Sequence, residues 1–385
     1  MLSCSKDKPE DEAPKLIEPT YEYLFQTSLE QSLSASSIRF IAGLAVEDAE
    51  QYNYQDLDVY RLTYKTQGPD GGAIEASGAV LIPVDTESQK LISYQHGTIT
   101  NQEDAPSHGI SLGLNELSAM AIFASTGFIV TMPDYIGYGA SSALPHPYEH
   151  RASLARACND MLLATLEFLE EKKEIESIYL MGYSEVGYAT LSTQQYIESQ
   201  NEVLLKAVFP AAGAYNKTAF TKAIIQQDEE LEFIDSYLWV LDVYNQIYSN
   251  LNRPWSAYVK APYDEMLSSL SVLNRETIST ELLETKMLEQ NPQKLFKEEF
   301  INGIVDGTDS AFLEVLTDND LLDWIPKAPV YMYHGTEDDY VLPLNTISTV
   351  DNLKASGGMI SYIPIEKKDH FSAAFDYFLG VLLSV

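Results

Sequence analysis

Three short stretches of this sequence carry side chains typical of nucleophilic catalysis. Residues 182–185 read Gly-Tyr-Ser-Glu, residues 334–339 form an acidic stretch that begins with histidine, and residues 369–370 are Asp-His. A serine hydroxyl becomes a nucleophile when an imidazole takes its proton, and a carboxylate orients that imidazole and stabilises its charged form. The sequence therefore predicts that Ser184 attacks a carbonyl group, assisted by a histidine and an acid.

The order of these stretches along the chain selects the histidine. A serine nucleophile on a strand-to-helix turn of a mostly parallel sheet is followed first by the acid and then by the histidine. Of the six histidines, only His334 and His370 follow Ser184, and only His370 follows the acidic stretch. We therefore expect His370 to be the base, while the acid stays open within residues 337–339.

Two backbone amides are also needed near the serine, because they stabilise the oxyanion that forms during attack. One donor would be the N–H of Glu185, which follows the nucleophile and opens the next helix. The other should come from the loop after an earlier strand, and residues 93–100 (SYQHGTIT) end such a strand. We expect the N–H of Thr98 to be this donor, with Gly97 as the alternative.

The elements that position these residues follow from the hydrophobic pattern. Alternation in DVYRLTYKT and in the start of IEASGAVLIPV, on either side of the turn QGPDGG, predicts an antiparallel hairpin. Six later runs are short and continuously apolar, as in parallel strands buried on both faces. Helical patterns at 150–172 and 186–199 lie between them, which favours an α/β fold. We predict eight strands, mostly parallel, after a helical lead-in over residues 21–50.

One long interval separates the last two strands from the others. Residues 214–327 are mostly helical in pattern and rich in Leu, Tyr, Phe and acidic residues. A connection of this length inside a compact domain is typical of a functional lid or an inserted domain. We therefore predict a helical cap over 214–327, inserted into a catalytic domain formed by residues 21–213 and 328–385.

The composition limits the classes of partner. The 385-residue chain has 24 Lys and Arg against 57 Asp and Glu, a net charge of −33. Without a basic cluster a nucleic-acid partner is excluded, and a neutral or apolar substrate outside the cytoplasm is favoured. No apolar run reaches the roughly 18 residues that span a membrane. The histidines do not pair with cysteines or carboxylates at ligand spacing, so we expect no metal and no cofactor.

The first 20 residues predict a flexible tether. They begin Met-Leu-Ser-Cys and continue as a polar, charged tract that contains proline. This start resembles that of a mature bacterial lipoprotein, in which the cysteine carries the lipid. We therefore expect lipidation at Cys4, with membrane attachment only through that anchor, and a plain disordered tail as the alternative. Cys158 lies in a helical pattern and is expected to be a small buried core residue.

Five motifs occur in a fixed order along the chain: YQHGT at 94, PDYIGYGAS at 133, HPY at 146, GYSEVG at 182 and HGTEDDYVLP at 334. Together they resemble the α/β-hydrolase superfamily, and most closely its branch of secretory lipases and extracellular bacterial esterases. The resemblance spans about residues 55–385 and implies the α/β-hydrolase fold, with a helical lid over the acyl pocket. It also implies Ser184 as nucleophile, Asp338 as acid and His370 as base.

The chain departs from this family pattern at two positions. Leu342 is inserted before the proline of the last motif, but the spacing from acid to valine is intact, which favours Asp338 over Asp339. Val186 replaces the second glycine of G-x-S-x-G and adds a β-branched side chain to the first helical turn. Either small neighbours such as Gly187 accommodate the valine, or the turn is distorted and the enzyme is weak.

These observations lead to a hypothesis of a serine carboxylesterase or lipase of the cell envelope. It would act through an acyl-enzyme on a small-molecule, lipid or polysaccharide ester, which the sequence does not identify. The alternatives are a catalytically weak binding lipoprotein that keeps the fold, and a peptidase on the same fold. The sequence does not indicate an oligomeric state.

Overall fold

A computed structural model describes residues 21–45, 49–84, 89–113, 115–170, 174–200, 203–270 and 274–385. These residues form one mixed sheet of nine strands in the order β1-β2-β3-β5-β4-β6-β7-β8-β9. The strands are β1 (Leu24–Leu33), β2 (Leu57–Gln67), β3 (Ala73–Pro83), β4 (Lys90–Tyr94), β5 (Ile129–Pro133), β6 (Ser177–Tyr183), β7 (Leu205–Ala211), β8 (Val330–Gly335) and β9 (Ile360–Ile365).

The sheet is antiparallel at its start and parallel thereafter. Strands β2 and β3 form the predicted hairpin, with Leu57 opposite Pro83 and Gln67 opposite Ala73. Strand β3 also pairs antiparallel with β5, and the six strands from β5 to β9 are parallel. Their carboxyl ends therefore meet at one edge, where ligands bind in open α/β sheets. The predicted fold class is confirmed.

The prediction of eight strands was one short, and the helical lead-in over 21–50 was partly wrong. Strand β1 occupies the first part of that segment, and a helix follows only from Ala35 to Ala45. Only the first and last residues of β1, Leu24 and Leu33, are buried. An edge strand that contributes so little to the core has no buried apolar run, so its sequence does not distinguish it from a surface helix.

Thirteen α-helices lie within the described ranges, and six of them pack on the two faces of the sheet. Helices α1, α2 and α13 pack on one face, and α3, α4 and α12 pack on the other. The helices are α1 (Ala35–Ala45), α2 (Glu116–Ser125), α3 (Arg151–Leu169), α4 (Glu185–Gln200), α5 (Lys217–Ile225), α6 (Ile234–Ile247), α7 (Tyr263–Ser269), α8 (Arg275–Ile278), α9 (Pro292–Leu295), α10 (Glu298–Val305), α11 (Ser310–Asp318), α12 (Leu344–Ala355) and α13 (His370–Leu382).

Residues 214–327 contain helices α5 to α11 and, in their described part, one isolated bridge between Val259 and Phe296. These helices have a hydrophobic core of their own, built from residues between Ile225 and Leu316. Tyr148, from the loop before α3, is the one residue of that core that lies outside the segment. Most apolar side chains of the helical segment are thus buried against one another. The two ends of the segment also pack on the rest of the chain, since Tyr215 and Leu321 share a core cluster with strands β8 and β9, and Phe220 packs with Tyr340 and Val341.

Candidate active site

Ser184 occupies a tight turn between strand β6, which ends at Tyr183, and helix α4, which begins at Glu185. Its φ is +73°, in the left-handed region that a residue with a Cβ rarely adopts. Such backbone strain costs about 1–3 kcal/mol and is concentrated at functional sites. The turn is held by the Ser184 amide, which donates to the carbonyl of Ala211 on β7 at 2.9 Å.

The side chain of Val186 packs against Gly182, which has no Cβ to occupy the same space. Val186 is fully buried, and its Cγ1 lies only 2.2 Å from where a Cβ on Gly182 would stand. The close approach of α4 to β7 is made by Gly187, whose Cβ would lie 2.0 Å from the carbonyl oxygen of Ala211. The contact with Gly182 agrees with the expectation that small neighbours make room for the valine.

The three residues predicted for catalysis are joined by hydrogen bonds. His370 Nε2 lies 2.8 Å from the Oγ of Ser184, and its Nδ1 lies 2.6 Å from the Oδ2 of Asp338. Asp338 is an acceptor when ionised, so the proton of the neutral imidazole belongs on Nδ1 and Nε2 is free to accept from the serine. The arrangement has the geometry of a general base oriented by an acid.

The acid is held from several directions. Asp338 Oδ1 accepts from the amides of Tyr340 at 3.1 Å and Val341 at 2.8 Å, and Oδ2 lies 3.2 Å from Nε2 of His334. Burial raises the pKa of Asp338, but the hydrogen bonds from His334 and His370 outweigh it and keep the pKa below its usual value. Asp339 is exposed, so only Asp338 stands at the imidazole.

The base is held by its position at the start of α13. Asp369 caps this helix, and its side chain accepts from the amides of Phe371 at 3.0 Å and Ser372 at 2.8 Å. The hydroxyl of Tyr183, next to the serine, donates to the carbonyl of His370 at 2.6 Å. These contacts fix the histidine from both its own helix and the strand that carries the serine.

The amides proposed for the oxyanion lie in the loop after β4 and at the start of α4. Among the described residues, neither the Thr98 nor the Glu185 N–H donates a hydrogen bond. The N–H of Gly97, the alternative donor, is already engaged by the carboxylate of Glu116 at 2.9 and 3.0 Å. This difference favours Thr98 over Gly97.

A buried carboxylate, for which no role was predicted from the sequence, joins these two segments. Glu185 Oε2 accepts from the hydroxyl of Thr98 at 2.9 Å, and its Oε1 lies 3.0 Å from Nε2 of His146. Nδ1 of His146 lies 2.7 Å from the carbonyl of Ile136, so both ring nitrogens face acceptors. His146 belongs to the HPY motif and Glu185 to the GYSEVG motif. These two motifs were the sequence signal from which the network could have been predicted.

A largely apolar, partly open cavity lies between the serine and the helical segment. Helices α5, α6, α10 and α11 supply most of its wall, together with the loop before α3 and the loop after Asp338. Its lining comprises Tyr148, Glu149, Ser184, Ala214, Lys217, Phe220, Thr221, Ile224, Ile225, Ser236, Tyr237, Val240, Leu241, Tyr244, Phe296, Phe300, Phe312, Leu316, Tyr340 and Val341.

Stacked aromatic rings attach the helical segment to the loops around the serine. Trp239 of α6 stacks on Tyr148 at a centroid distance of 4.0 Å and an angle of 7°. Phe233, just before α6, stacks on Tyr340 at 3.9 Å, and Tyr340 in turn meets the ring of His370 edge-on at 4.8 Å. The wall of the cavity and His370, the predicted base, are therefore in contact through Tyr340.

The model of the secretory lipase family matches residues 101–377, well over half of the chain. The chain belongs to the secretory lipase family. The matched range includes Ser184, Asp338 and His370. The resemblance drawn from the five motifs is thereby confirmed.

Individual members and solved structures give the same picture. The chain is 25% identical over 327 residues to the secreted triacylglycerol lipase LIP5 of Malassezia globosa, covering 78% of this chain and 62% of that lipase. A protein of Legionella pneumophila has the same fold at a TM-score of 0.82, with 24% identity and coverage of 94% and 97%. The rice cell wall degrading esterase LipA of Xanthomonas oryzae gives 0.80, with 22% identity and coverage of 95% and 97%.

The remaining sequence predictions concern the two cysteines, a membrane span and a metal site. Cys158 is buried in α3, as expected. Cys4 and the predicted tether over residues 1–20 lie outside the described residues. Within the described ranges, no helix is long and apolar enough to cross a membrane, and no cluster of three His, Cys, Asp or Glu residues has the arrangement of a metal site.

Proposed function

We propose that this chain is a serine carboxylester hydrolase that acts through an acyl-enzyme. The observation that carries the proposal is the hydrogen-bonded series Ser184, His370 and Asp338 on a strained turn, at distances of 2.8 and 2.6 Å. Strain of this kind persists only when the surrounding structure holds it, and it presents the hydroxyl for attack. Membership of the secretory lipase family supports the same chemistry.

In the first half-reaction, the Oγ of Ser184 forms a bond to the ester carbonyl carbon while His370 Nε2 takes its proton. The carbonyl oxygen becomes an oxyanion, to which the amides of Thr98 and Glu185 donate. The bond to the leaving alcohol then breaks, and His370 returns the proton to the alcohol oxygen. Asp338 stays ionised and stabilises the imidazolium.

In the second half-reaction, water replaces the alcohol. His370 takes a proton from water as its oxygen attacks the acyl carbon, and the same two amides stabilise the second oxyanion. The bond to Ser184 breaks, the serine regains its proton and the carboxylic acid leaves. The net reaction is hydrolysis of the ester. Its steps use these side chains, the two backbone amides and one water molecule.

The substrate is a neutral or apolar ester. The cavity beside Ser184 is lined mainly by aromatic and aliphatic side chains of the helical segment, which suits the hydrocarbon part of an acyl group. A net charge of −33 disfavours anionic polymers. We therefore assign 214–327 as the cap that encloses the acyl group, and 21–213 with 328–385 as the catalytic domain.

The enzyme acts outside the cytoplasm. The family is one of secretory lipases, and the matched lipase of Malassezia globosa is named as secreted. The chain spans 62% of that relative's length, so its activity on triacylglycerols is not carried over to this chain. Lipid attachment at Cys4 of a bacterial lipoprotein stays a proposal that rests on the resemblance of the first residues.

A second candidate function is a binding protein that keeps the fold with little catalysis, because Val186 stands where the family has glycine. The burial of Val186 against Gly182 and the intact hydrogen bonds of the triad favour the enzyme over this candidate. A peptidase on the same fold has no specific observation in its favour.

Labelling with an organophosphonate tests the proposal. A fluorophosphonate forms a stable bond only with an activated serine, so the intact protein should gain one adduct, located by peptide mass spectrometry at Ser184. Ser184→Ala should gain none. An unlabelled native protein, or labelling that persists in Ser184→Ala, would contradict the assignment.

A further inference from the structure

One pair of charged residues lies in the wall of the apolar cavity, and the catalytic mechanism does not use it. Among the described residues that line the cavity, Glu149 and Lys217 are the only charged ones. Their side chains form an ion pair and are 8% and 5% exposed. Ser184 lines the same cavity, so a substrate that reaches the serine also passes near this pair.

Contacts with neighbouring residues fix the positions of both Lys217 and Glu149. Lys217 opens helix α5 just after strand β7, and its Nζ lies 3.9 Å from the ring centroid of Tyr188. Glu149 lies just before α3 with a φ of +57°, and its carbonyl accepts from the hydroxyl of Tyr244 at 2.9 Å. A left-handed glutamate is strained, so the backbone here is held in place by its surroundings.

Stability is a poor explanation for the pair. Taking two charges out of water costs free energy that their attraction often fails to recover, and apolar replacements of a buried ion pair are frequently neutral or stabilising. Burial also holds the pKa of Lys217 well below its ordinary value, with Asp320 opposing the shift. A charged pair kept in an apolar binding cavity is typical of the few polar groups that orient a ligand.

The amino group of Lys217 and the carboxylate of Glu149 together determine which chemical group of a ligand they can bind. An amino nitrogen donates hydrogen bonds, and a carboxylate accepts them. Among the described residues, Glu149 is the hydrogen-bond partner of the Lys217 Nζ, which leaves donor capacity on that nitrogen. A ligand carboxylate would face the charge of Glu149, and a ligand amine would face that of Lys217. A neutral hydroxyl suits both, since it accepts from the lysine and donates to the carboxylate.

We propose that Lys217 and Glu149 are specificity-determining residues that bind a neutral hydroxyl on the part of the ester that enters the cavity. This inference rests on the proposed ester hydrolysis and narrows its substrate class to hydroxylated esters. The hydroxyl belongs either to an aliphatic acyl chain or to the ring of a phenolic acyl group, since both present the same donor and acceptor.

The test compares matched esters of one chromogenic alcohol. The aliphatic arm uses octanoate and decanoate esters against their monohydroxylated forms, with the hydroxyl at successive carbons. The phenolic arm uses phenylpropanoate against 4-hydroxyphenylpropanoate. For the native protein we expect kcat/KM to favour the hydroxyl ester by about tenfold or more at one hydroxyl position, in one arm. A ratio of one or less at every position and in both arms would overturn the proposal.

The double variant Lys217→Met with Glu149→Leu tests the assignment to these residues. It removes both charges together, so no unpaired charge is left buried. In this variant, the ratio of kcat/KM for the hydroxylated ester to kcat/KM for the plain ester should fall to one or below. The reason is that the hydroxyl would lose its hydrogen-bond partners in an apolar wall. The control is Arg253→Met, which breaks the ion pair with Asp309 in the same helical segment but outside the cavity lining. An unchanged ratio in the double variant, or an equal fall in the control, would overturn the proposal.

The two proposals fail in different ways. If ester hydrolysis itself is wrong, none of the esters is turned over and Ser184 is not labelled by the phosphonate. If only the present inference is wrong, plain and hydroxylated esters are hydrolysed with no preference for the hydroxyl. The native substrate series does not depend on any variant, so a double variant that fails to fold leaves that part of the test intact.

Discussion

The carboxyl edge of the sheet and the helical segment that faces it are each stabilised by a different kind of contact. At the sheet edge, the residues proposed for catalysis follow the ends of strands β6, β8 and β9 and are fixed by short hydrogen bonds. His370 lies 2.8 Å from Ser184 and 2.6 Å from Asp338. In the helical segment, the cavity wall is fixed by apolar packing and by stacked rings such as Trp239 on Tyr148. The proposed chemistry and the proposed enclosure of the substrate thus depend on different kinds of contact.

The difference follows from what each region must achieve. Proton transfer requires heavy atoms within hydrogen-bond reach and in a fixed orientation, and sites on regular elements meet that demand better than loops. An apolar cavity requires volume and exclusion of water, which many combinations of aliphatic and aromatic residues provide. We therefore expect single polar changes at the sheet edge to affect turnover strongly, and changes in the helical segment to alter substrate preference.

Ser184→Ala gives the sharpest test of the sheet edge. Removing the nucleophile should lower kcat by about 10⁶-fold, the size seen when a serine triad loses its serine. Stability should change little, because the hydroxyl is partly exposed and its main partner is the imidazole. The measurement is kcat on a short-chain ester, with thermal unfolding as the control for folding. Retention of more than a few per cent of the activity would show that another residue is the nucleophile.

Asp338→Asn and Asp339→Asn form a matched pair. Asp338→Asn keeps the shape but removes the acceptor that orients the Nδ1 proton of His370, so kcat should fall by about 10⁴-fold. Asp339 is exposed one residue away, and Asp339→Asn should change kcat by no more than about threefold, as surface substitutions usually do. The reverse ranking would move the acid by one residue and contradict the spacing argument.

Glu185→Gln tests whether the network behind the oxyanion amides positions them. The carboxylate binds the hydroxyl of Thr98 and contacts His146, so an amide in its place should let the Thr98 loop shift. Losing one oxyanion donor lowers kcat by about 10²–10³-fold, so a displaced donor should lower it by about 10–100-fold with little change in KM.

Thr98→Val and Thr98→Ser are the controls for this network. Thr98→Val removes the hydroxyl and should resemble Glu185→Gln, while Thr98→Ser keeps the hydroxyl and should retain most of the native kcat. A rise in KM with kcat unchanged would show that the network serves substrate binding alone.

Hydrogen exchange and limited proteolysis compare the two regions directly. The helical segment packs mainly on itself, so amides in α6 and α10 should exchange at least about tenfold faster than those in β6. Protease nicks should appear first within 214–327. Equal protection in both regions, with nicks only elsewhere, would show that the segment is integral to the core of the catalytic domain.

The same contrast explains what the sequence could and could not predict. Buried parallel strands and their ends leave a strong pattern, so the positions of Ser184, Asp338 and His370 were available from motifs alone. The edge strand Leu24–Leu33 was missed, because its exposed residues lack a buried apolar run. The pairing of Lys217 with Glu149 depends on how a long insertion folds back over a loop, and neither residue belongs to a local motif.

Val186 is where the two kinds of contact meet, because an apolar side chain packs inside the catalytic turn. Its Cγ1 fills the space over Gly182, and Gly187 provides the close approach to β7. Val186→Gly should therefore lower the free energy of unfolding by about 2–4 kcal/mol, from lost burial and from glycine in a helix. We expect kcat/KM on a short-chain ester to change by no more than about threefold.

Val186→Ala separates the two causes of that loss, because it opens the same space without adding glycine to the helix. It should lose about 1 kcal/mol less stability than Val186→Gly. If the valine instead strains the turn, both variants should relax the amide of Glu185 toward the oxyanion and raise kcat/KM. A gain of tenfold, about 1.4 kcal/mol of transition-state stabilisation, would mean that the turn is strained. The family glycine would then be a catalytic requirement that this chain has partly given up.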